Sequence, residues 1–470
     1  MTDPEPYSPQ LRTAVVFTGT GTAGAYHAGV LRALHEAGVK IDLVAGRGVG
    51  ALAAVFAAID GGQKLWGEHG FWDEDHADGF YDWRATLRFA VWAMAVAFAI
   101  VVTPLAAAAI GAIVFPLDFV VKMLGLGGAA NVTALYTRLV DRMFAPSALP
   151  TWLPRLAVLV LGLAALTIAV ETVVSSRRRR ARGSLLWRGV RAPLSLHAVL
   201  ARCWTSLWDL VQGGGRIKQP RPADVSARYV ELLADNVGQP GFRELVIAAH
   251  DLDARRDLVF ALVAEPRRRD LIRRASTAEA EVRRAEVVDL GGAGRAHLAD
   301  AVAAALSVAV VTEPHPMTFS PDTYWRGETH RLCDRPGVLL RLFDELTELG
   351  VEQAIVVSAA AAVEGPHALA PGRLDGKGRV GEYVMSVEVA AVRDALQFAA
   401  SRLPRVFTIH PQHNPMGPFD FGGAYDDRSD RRQPLAELLT RGYEDAYHQF
   451  IEPVVGASGE KVGAVRSVRL

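Results

Sequence analysis

Between Thr13 and Gly62 the chain twice passes from a short apolar run, through a glycine-rich turn, into a segment with helical spacing of apolar residues. The first run, Thr13–Phe17, is β-branched, as buried strands often are, and leads into Gly19-Thr-Gly-Thr-Ala-Gly24. The second run, Ile41–Ala45, leads into Gly46-Arg-Gly-Val-Gly50. Two successive strand–helix units with short turns predict a parallel sheet with crossover helices, and therefore an α/β fold.

Two later stretches are apolar enough to cross a membrane. Phe89 to Leu117 holds 29 residues and no Asp, Glu, Lys or Arg, and Trp152 to Val174 carries only two charged residues. Roughly 20 apolar residues in a helix cross the hydrocarbon core. We therefore predict transmembrane helices at about 89–117 and 152–174. A pair of buried helices is the alternative, and Pro104 leaves open a re-entrant hairpin in the first stretch.

These spans divide the chain into three parts. Residues 1–84 and 216–470 are predicted to form one α/β domain, and residues 85–215 a membrane insertion. The insertion ends in an apolar-rich segment with Trp187, Trp204 and Trp208, either an amphipathic connector near the bilayer or an ordinary packed helix. In the last part, apolar patterns predict strands and a terminal helix at about 242–251, 257–263, 353–358, 405–410 and 442–453.

The distribution of basic residues predicts the orientation in the membrane. Seven Lys or Arg residues flank the pair of spans and four lie between them. Since basic residues accumulate on the cytoplasmic side, both soluble parts are expected in the cytoplasm, joined by a multi-pass segment with two crossings. The acidic, Pro-containing N-terminus shows no pattern of a secretory signal.

Composition limits the partners and cofactors. With 51 basic and 51 acidic residues, the chain has no excess positive charge to argue for nucleic acid. Cys203 and Cys333 are too few for a zinc pattern or a disulfide framework, and His410 and His413 lack an evident third ligand. The sequence therefore predicts no metal and no cofactor. The first glycine turn alone could also belong to a dinucleotide fold, but a second glycine turn stands where the acid of that fold is expected.

The sequence GTGTAGAYHAGVLRALHEAGV followed by DLVAGRGVGAL resembles the patatin-like phospholipases. That family consists of lipid acyl hydrolases with a Ser–Asp dyad on a three-layer α/β/α fold. The resemblance implies an oxyanion-type turn at Gly19, Gly21 and Gly24. It also implies a nucleophile elbow of the form G-x-S-x-G at Gly46, Gly48 and Gly50. His27 follows the first turn on the predicted helix, where a packed or capping role is the simpler interpretation.

Both members of the implied dyad are replaced. The nucleophile falls on Gly48, which has no side chain, and no G-x-S-x-G occurs elsewhere. The family's Asp lies in a D-G-[GA] motif, which matches the segment around Arg326 with Gly327 retained. Asp322 and Asp334 lie nearby, and the Asp375–Gly376 pair follows the closing strand, in the wrong order. No catalytic residue is therefore predicted to be intact.

Three hypotheses follow for the function. The first is a cytoplasmic-facing membrane pseudoenzyme that binds a lipid, an acyl chain or a partner protein in the cleft. The second is a lipid acyl hydrolase that uses other residues, and the third is a structural platform at the membrane. Membrane lipid is the expected partner in each, with a protein partner as a further possibility.

Overall fold

The computed structural model describes residues 6–67, 69–125, 130–145, 149–177, 192–213, 218–273, 284–361 and 375–456. The chain divides into two compact units. The first, called here the α/β unit, comprises Met1–Asp82 and Leu194–Leu470, and the second, the insertion unit, comprises Trp83–Pro193. The insertion therefore returns to the α/β unit at Leu194, earlier than the predicted boundary at 215.

A mostly parallel sheet forms the centre of the α/β unit. Its strands are β1 Thr13–Thr18, β2 Leu43–Gly46, β3 Glu244–Asp251, β4 Arg256–Leu262, β5 Val287–Asp289, β6 His315–Thr318, β7 Thr329–Cys333, β8 Gln353–Ser358 and β9 Arg405–Ile409. The order across the sheet is β5-β4-β3-β2-β1-β8-β9, with β7 pairing with β3 and β6. Strands β2, β1, β8 and β9 lie parallel with β3, whereas β4 and β7 run antiparallel to it. A separate ribbon joins β10 Ala424–Asp426 to β11 Arg431–Gln433.

Helices cover both faces of this sheet. Those of the α/β unit in the first part of the chain are α1 Ala23–Glu36, α2 Gly50–Ala58, α3 Gln63–Trp66 and α4 Glu74–Ala77. The insertion unit holds α5 Ala85–Met123, α6 Ala130–Phe144 and α7 Leu149–Arg177. The α/β unit continues with α8 His197–Val211, α9 Pro222–Asn236, α10 Arg267–Arg273, α11 Leu298–Leu306, α12 Val338–Glu348, α13 Gly376–Arg402 and α14 Leu435–Ala446. A π-helical segment, Tyr447–Val455, extends α14.

Strand β1 shows how the sequence produces these layers. All six of its residues are buried, and alternate side chains point to opposite faces of the sheet. Val15 and Phe17 join the core under α1, α2 and α8, whereas Ala14 and Val16 join the core under α12 and α13. A strand that is apolar on both faces needs a helical layer on each side. The predicted α/β fold with a mostly parallel central sheet is confirmed.

The insertion unit is dominated by one long helix. Among the described residues, α5 alone is long and apolar enough to cross a membrane, and only 6% of its most apolar window is buried. This low burial distinguishes α5 from a core helix of a soluble protein. Helix α5 continues through Pro104 and Pro116, so the hairpin alternative is not formed. Helix α7 contains the second predicted span, of which Arg155–Val170 is recognised as a shorter apolar stretch.

The tryptophans of the predicted connector do not lie on a surface. Trp204 and Trp208 on α8 are buried in the core of the α/β unit, and α8 packs against α9. The packed-helix alternative therefore holds for His197–Val211. Trp187 lies outside the described residues.

Candidate functional site

The second glycine turn connects β2 to α2 by a tight bend. Gly48 adopts a left-handed backbone conformation with φ +56°, and α2 begins two residues later at Gly50. A β-carbon placed on Gly46 would collide with the carbonyl of Gly50, and one placed on Gly50 would collide with the carbonyl of Phe17. Close backbone approach thus requires glycine at all three positions. The turn has the strand-to-helix form of a nucleophile elbow.

The space that a side chain of residue 48 would need is filled. A β-carbon placed on Gly48 would lie far inside contact distance of the Gly19 carbonyl oxygen, and 3.1 Å from Oδ2 of Asp334. The Gly19 carbonyl is held there, because it accepts a 2.9 Å hydrogen bond from the backbone N–H of Val49. Paired β1 and β2 residues bring the two turns together, with Phe17 opposite Gly46. No side chain fits at position 48 unless the backbone of the first turn moves.

The first glycine turn is also occupied, by a distant part of the chain. The N–H of Thr22, at the start of α1, donates to the carbonyl of Pro418 at 3.0 Å, and the Thr22 hydroxyl donates to the carbonyl of Gly417 at 2.9 Å. Gly21 has φ +58°, and a β-carbon there would collide with the same Pro418 carbonyl. The positive end of the α1 helix dipole is therefore satisfied by a protein carbonyl. Gly24 is needed for packing, since a side chain there would meet Trp72.

A buried group of charges lies behind the elbow. The guanidinium of Arg47 contacts Oδ2 of Asp334 at 2.9 Å and Oε2 of Glu388 at 3.6 Å, and all three side chains are buried. Glu388 extends from α13 and accepts a 3.2 Å hydrogen bond from the hydroxyl of Thr20. Burial raises the pKa of Asp334 to about 6, with Arg47 opposing and Glu388 adding to the rise. Two carboxylates thus share one guanidinium.

The acid beside the elbow differs from the predicted position. Arg326 has φ +45° and belongs to a turn in which its N–H donates to Thr323. It lines a cavity of about 950 Å³ together with Asp322 and Trp325. The atoms nearest to a β-carbon on Gly48 belong instead to Gly19 and Asp334, so the structure does not bring Arg326 to Gly48. Asp334 directly follows β7, and its placement after a strand is a sequence signal that points to it.

The remaining candidates have structural partners. His27 is buried on α1 and its Nε2 lies 3.1 Å from the Thr18 carbonyl, to which it donates. Burial lowers its pKa to about 3, with Arg47 adding to the decrease, so the ring is neutral. His413 contacts Asp426 at 3.0 Å. Asp375 caps α13 by accepting from the N–H of Gly378 at 2.7 Å.

Within the described ranges, the two cysteines are unreactive and no metal site is found. Cys203 and Cys333 are free and buried, and burial raises the pKa of the Cys333 thiol to about 12. A thiol with such a pKa stays protonated at neutral pH and is a poor nucleophile. Within these ranges no group of three or more His, Cys, Asp and Glu side chains could hold a metal ion.

The comparison with family models agrees with the fold. A family model described as patatin-like phospholipase matches residues 15–334, a range that contains both glycine turns and ends at Asp334. No curated protein matches the chain. Among solved structures, the crystal structure of VipD from Legionella pneumophila is similar with a TM-score of 0.33 and 13% sequence identity. The match covers 96% of this chain and 67% of that chain.

Proposed function

The chain belongs to the patatin-like phospholipase family, and from this premise we propose that it is a membrane-attached member without Ser–Asp hydrolase activity. One observation carries the proposal: at the elbow, residue 48 is glycine and the Gly19 carbonyl lies where a nucleophile's side chain would begin. Loss of a catalytic nucleophile typically lowers the rate by several orders of magnitude. Here the position for the nucleophile is lost as well as its hydroxyl.

Two backbone hydrogen-bond donors of the site, on Val49 and Thr22, are also engaged. In an elbow of this kind, the N–H that follows the nucleophile supplies one donor of the oxyanion hole. That group is the N–H of Val49, and it donates to the Gly19 carbonyl. The N–H of Thr22 at the head of α1 donates to Pro418. An oxyanion needs donors that are free before it forms, so neither of these two groups can stabilise a tetrahedral intermediate in this conformation.

We assign the acid position of the lost dyad to Asp334 in place of Arg326. Asp334 follows β7 and its Oδ2 lies 3.1 Å from a β-carbon placed on Gly48. The carboxylate is paired with Arg47, the second residue of the elbow. A charge-paired, buried carboxylate of this kind supports the structure and does not activate a hydroxyl.

A second candidate function, an acyl hydrolase with substitute residues, is favoured by one contact. The hydroxyl of Thr20 donates to Glu388 at 3.2 Å, which is an arrangement of nucleophile and base. Against it, Glu388 also neutralises Arg47 and the hydroxyl is buried. We therefore place this candidate second.

The filled first turn bears on what the protein binds. No free N–H at Thr22 or Val49 is left to hold an acyl carbonyl at the elbow. This favours a platform that presents its surface to lipid or to a partner protein over one that holds an acyl group in the cleft. We further propose two membrane crossings with the α/β unit in the cytoplasm, since both ends of the insertion join one sheet-containing unit and the basic residues are enriched on its flanks.

The test is labelling of the detergent-extracted full chain with a fluorophosphonate, beside hydrolysis of phosphatidylcholine in mixed micelles. We expect neither labelling nor fatty-acid release, in the native chain and in Thr20→Val alike. Labelling or hydrolysis that Thr20→Val abolishes would establish the second candidate and refute the proposal. Thr440→Val is the matched control variant, because it removes an exposed hydroxyl on α14. Labelling and fatty-acid release should be the same in this variant as in the native chain.

A further inference from the structure

Val310 and Tyr383 are the most exposed large apolar side chains in the part of the α/β unit that the structure describes. Val310 is 87% exposed and Tyr383, on α13, is 71% exposed. Tyr383 belongs to a stripe, because Val380 and Val387 are exposed at helical spacing on the same side of α13. Isolated exposed apolar residues are common, so their location decides whether they indicate a binding surface.

Val310 lies beside the point where the insertion rejoins the α/β unit. The N–H of Leu194, the first residue after the insertion, donates to the carbonyl of Val311 at 3.0 Å, and Leu194 pairs with Thr312. Val310 itself has φ +71°, a conformation that is a clear outlier for a β-branched residue. The turn thus holds an apolar side chain outward at the expense of backbone strain.

The stripe on α13 lies near the other end of the insertion. A β-carbon placed on Gly381 would lie 3.3 Å from Cδ of Pro418, and the neighbouring Phe419 ring packs against Tyr81 with centroids 5.6 Å apart. Tyr81 precedes Asp82, the last residue before the insertion. The carboxylate of Asp82 also acts electrostatically on Lys377, in the first turn of α13.

The two ends of the insertion meet within the α/β unit. The N–H of Ser195 donates to the carbonyl of Asp82 at 2.9 Å. Val310 and the stripe of α13 are therefore both anchored next to one junction. We call these four exposed side chains, Val310, Val380, Tyr383 and Val387, the junction face.

We propose that the junction face rests on the surface of the lipid bilayer that the insertion crosses. The proposal rests on the proposed function, because it requires the insertion unit to be in a membrane. The first predicted span begins at about residue 89, only seven residues after Asp82, so the chain keeps this junction close to the lipid. Tyrosine, with an apolar ring and a polar hydroxyl, favours the interface between hydrocarbon and water. The valines bury apolar surface there.

This contact would link the membrane to the buried charges. Tyr383 and Glu388 lie on one helix, five residues apart, and Glu388 reaches Arg47 and Thr20 on the inner side. A helix held against lipid on its outer side keeps Glu388 in position on its inner side.

The experiment uses the full chain in phosphatidylcholine nanodiscs, with single cysteines carrying an NBD fluorophore. Native Cys203 and Cys333 are buried, so labelling is directed to the introduced thiol. The test positions are Val310→Cys and Tyr383→Cys. Gln397→Cys, an exposed polar position farther along α13, is the matched control, and Val101→Cys on α5 reports membrane insertion. Two sets of nanodiscs are used: one contains a lipid with a doxyl quencher near its headgroup, which reads positions 310, 383 and 397, and the other a lipid with the doxyl group near the end of its acyl chain, which reads position 101.

We expect quenching at positions 310 and 383 to exceed that at 397 at least threefold, with strong quenching at 101. If position 101 is quenched but positions 310 and 383 are quenched no more than position 397, the proposal is overturned and the membrane insertion stands. Absence of quenching at all four positions would refute the insertion itself, and the proposal with it. Blue-shifted emission at 383 without lipid quenching would show that protein covers the face, which also overturns the proposal.

Discussion

Replacing Gly48 by alanine tests the central geometric claim, that the Gly19 carbonyl fills the position of the missing side chain. Two effects together lower the free energy of unfolding of this variant. A left-handed conformation costs a residue with a β-carbon about 1–2 kcal/mol. The new methyl group must also push away the Gly19 carbonyl and so weaken its bond to Val49, and a buried N–H left without an acceptor costs about 1–3 kcal/mol. The sum is about 2–5 kcal/mol.

Gly350→Ala is the matched control. Gly350 has φ +73°, also left-handed, but a β-carbon placed there has no atom within 4 Å. Only the backbone cost of about 1–2 kcal/mol applies. The difference between the two variants therefore isolates the contact with Gly19, and we expect it to be about 2 kcal/mol.

The assay is thermal unfolding of the full chain in detergent micelles, followed by tryptophan fluorescence. Trp72, Trp204 and Trp208 are buried in the α/β unit and report its unfolding. At about 2 °C per kcal/mol for a unit of this size, Gly48→Ala should lower the midpoint by about 7 °C and Gly350→Ala by about 3 °C. Equal losses in the two variants would mean that the Gly19 carbonyl does not occupy this space and that the elbow is not filled.

Three further outcomes are expected. Arg47→Met should lower the free energy of unfolding by about 3–5 kcal/mol at pH 7, because it leaves buried carboxylates unpaired. The control Arg393→Met, which removes an exposed ion pair, should change it by less than about 0.5 kcal/mol. Urea unfolding measures both variants. Gly48→Ser should not hydrolyse phosphatidylcholine, with or without Arg326→Asp, and release of fatty acid by either variant would contradict the filled elbow. Burial lowers the pKa of His27 to about 3, so below about pH 6.5 the unfolded chain binds a proton that the folded chain does not. The free energy of unfolding is therefore independent of the protonation of His27 above about pH 6.5, and it decreases as the pH falls below about 6.5, by at most about 1.4 kcal/mol per pH unit. His27→Gln should reduce this pH dependence of the unfolding midpoint between about pH 4.5 and 7.

The central strands and their turns could be predicted because their signals are local. Thr13–Phe17 and the strand at 353–358 are buried on both faces, and such strands have continuous apolar sequences. Gly38 follows α1 with φ +65°, which is the usual end of a helix at a glycine. Patterns of this kind depend on a few neighbouring residues and do not require knowledge of the rest of the chain.

The acid beside the elbow depends on a distant pairing. Asp334 reaches Gly48 because β7 pairs with β3, with Cys333 opposite His250. This pairing joins segments about 80 residues apart in sequence, and a short motif match around Arg326 contains no information about it. The same reason hides the contact of Pro418 with Thr22, since the two residues lie at opposite ends of the chain.

The tryptophans of α8 show a different limit. A helix with one apolar face has the same sequence pattern whether that face meets a bilayer or a protein core. Trp204 and Trp208 pack into the core of the α/β unit. Only the presence of α9 and the surrounding core beside them, which the local sequence does not specify, decides between the two environments.

Retention of the glycine pattern is explained by packing alone. Gly46 and Gly50 are required because the backbone carbonyls of Gly50 and Phe17 approach their α-carbons, whatever residue stands between them. Gly21 is likewise required by the carbonyl of Pro418. The turns that mark this family can therefore be required by packing alone, because they hold β1, β2 and their helices together. What separates an inert elbow from a working one is whether a side chain can stand at position 48, and there the Gly19 carbonyl, fixed by Val49, excludes it.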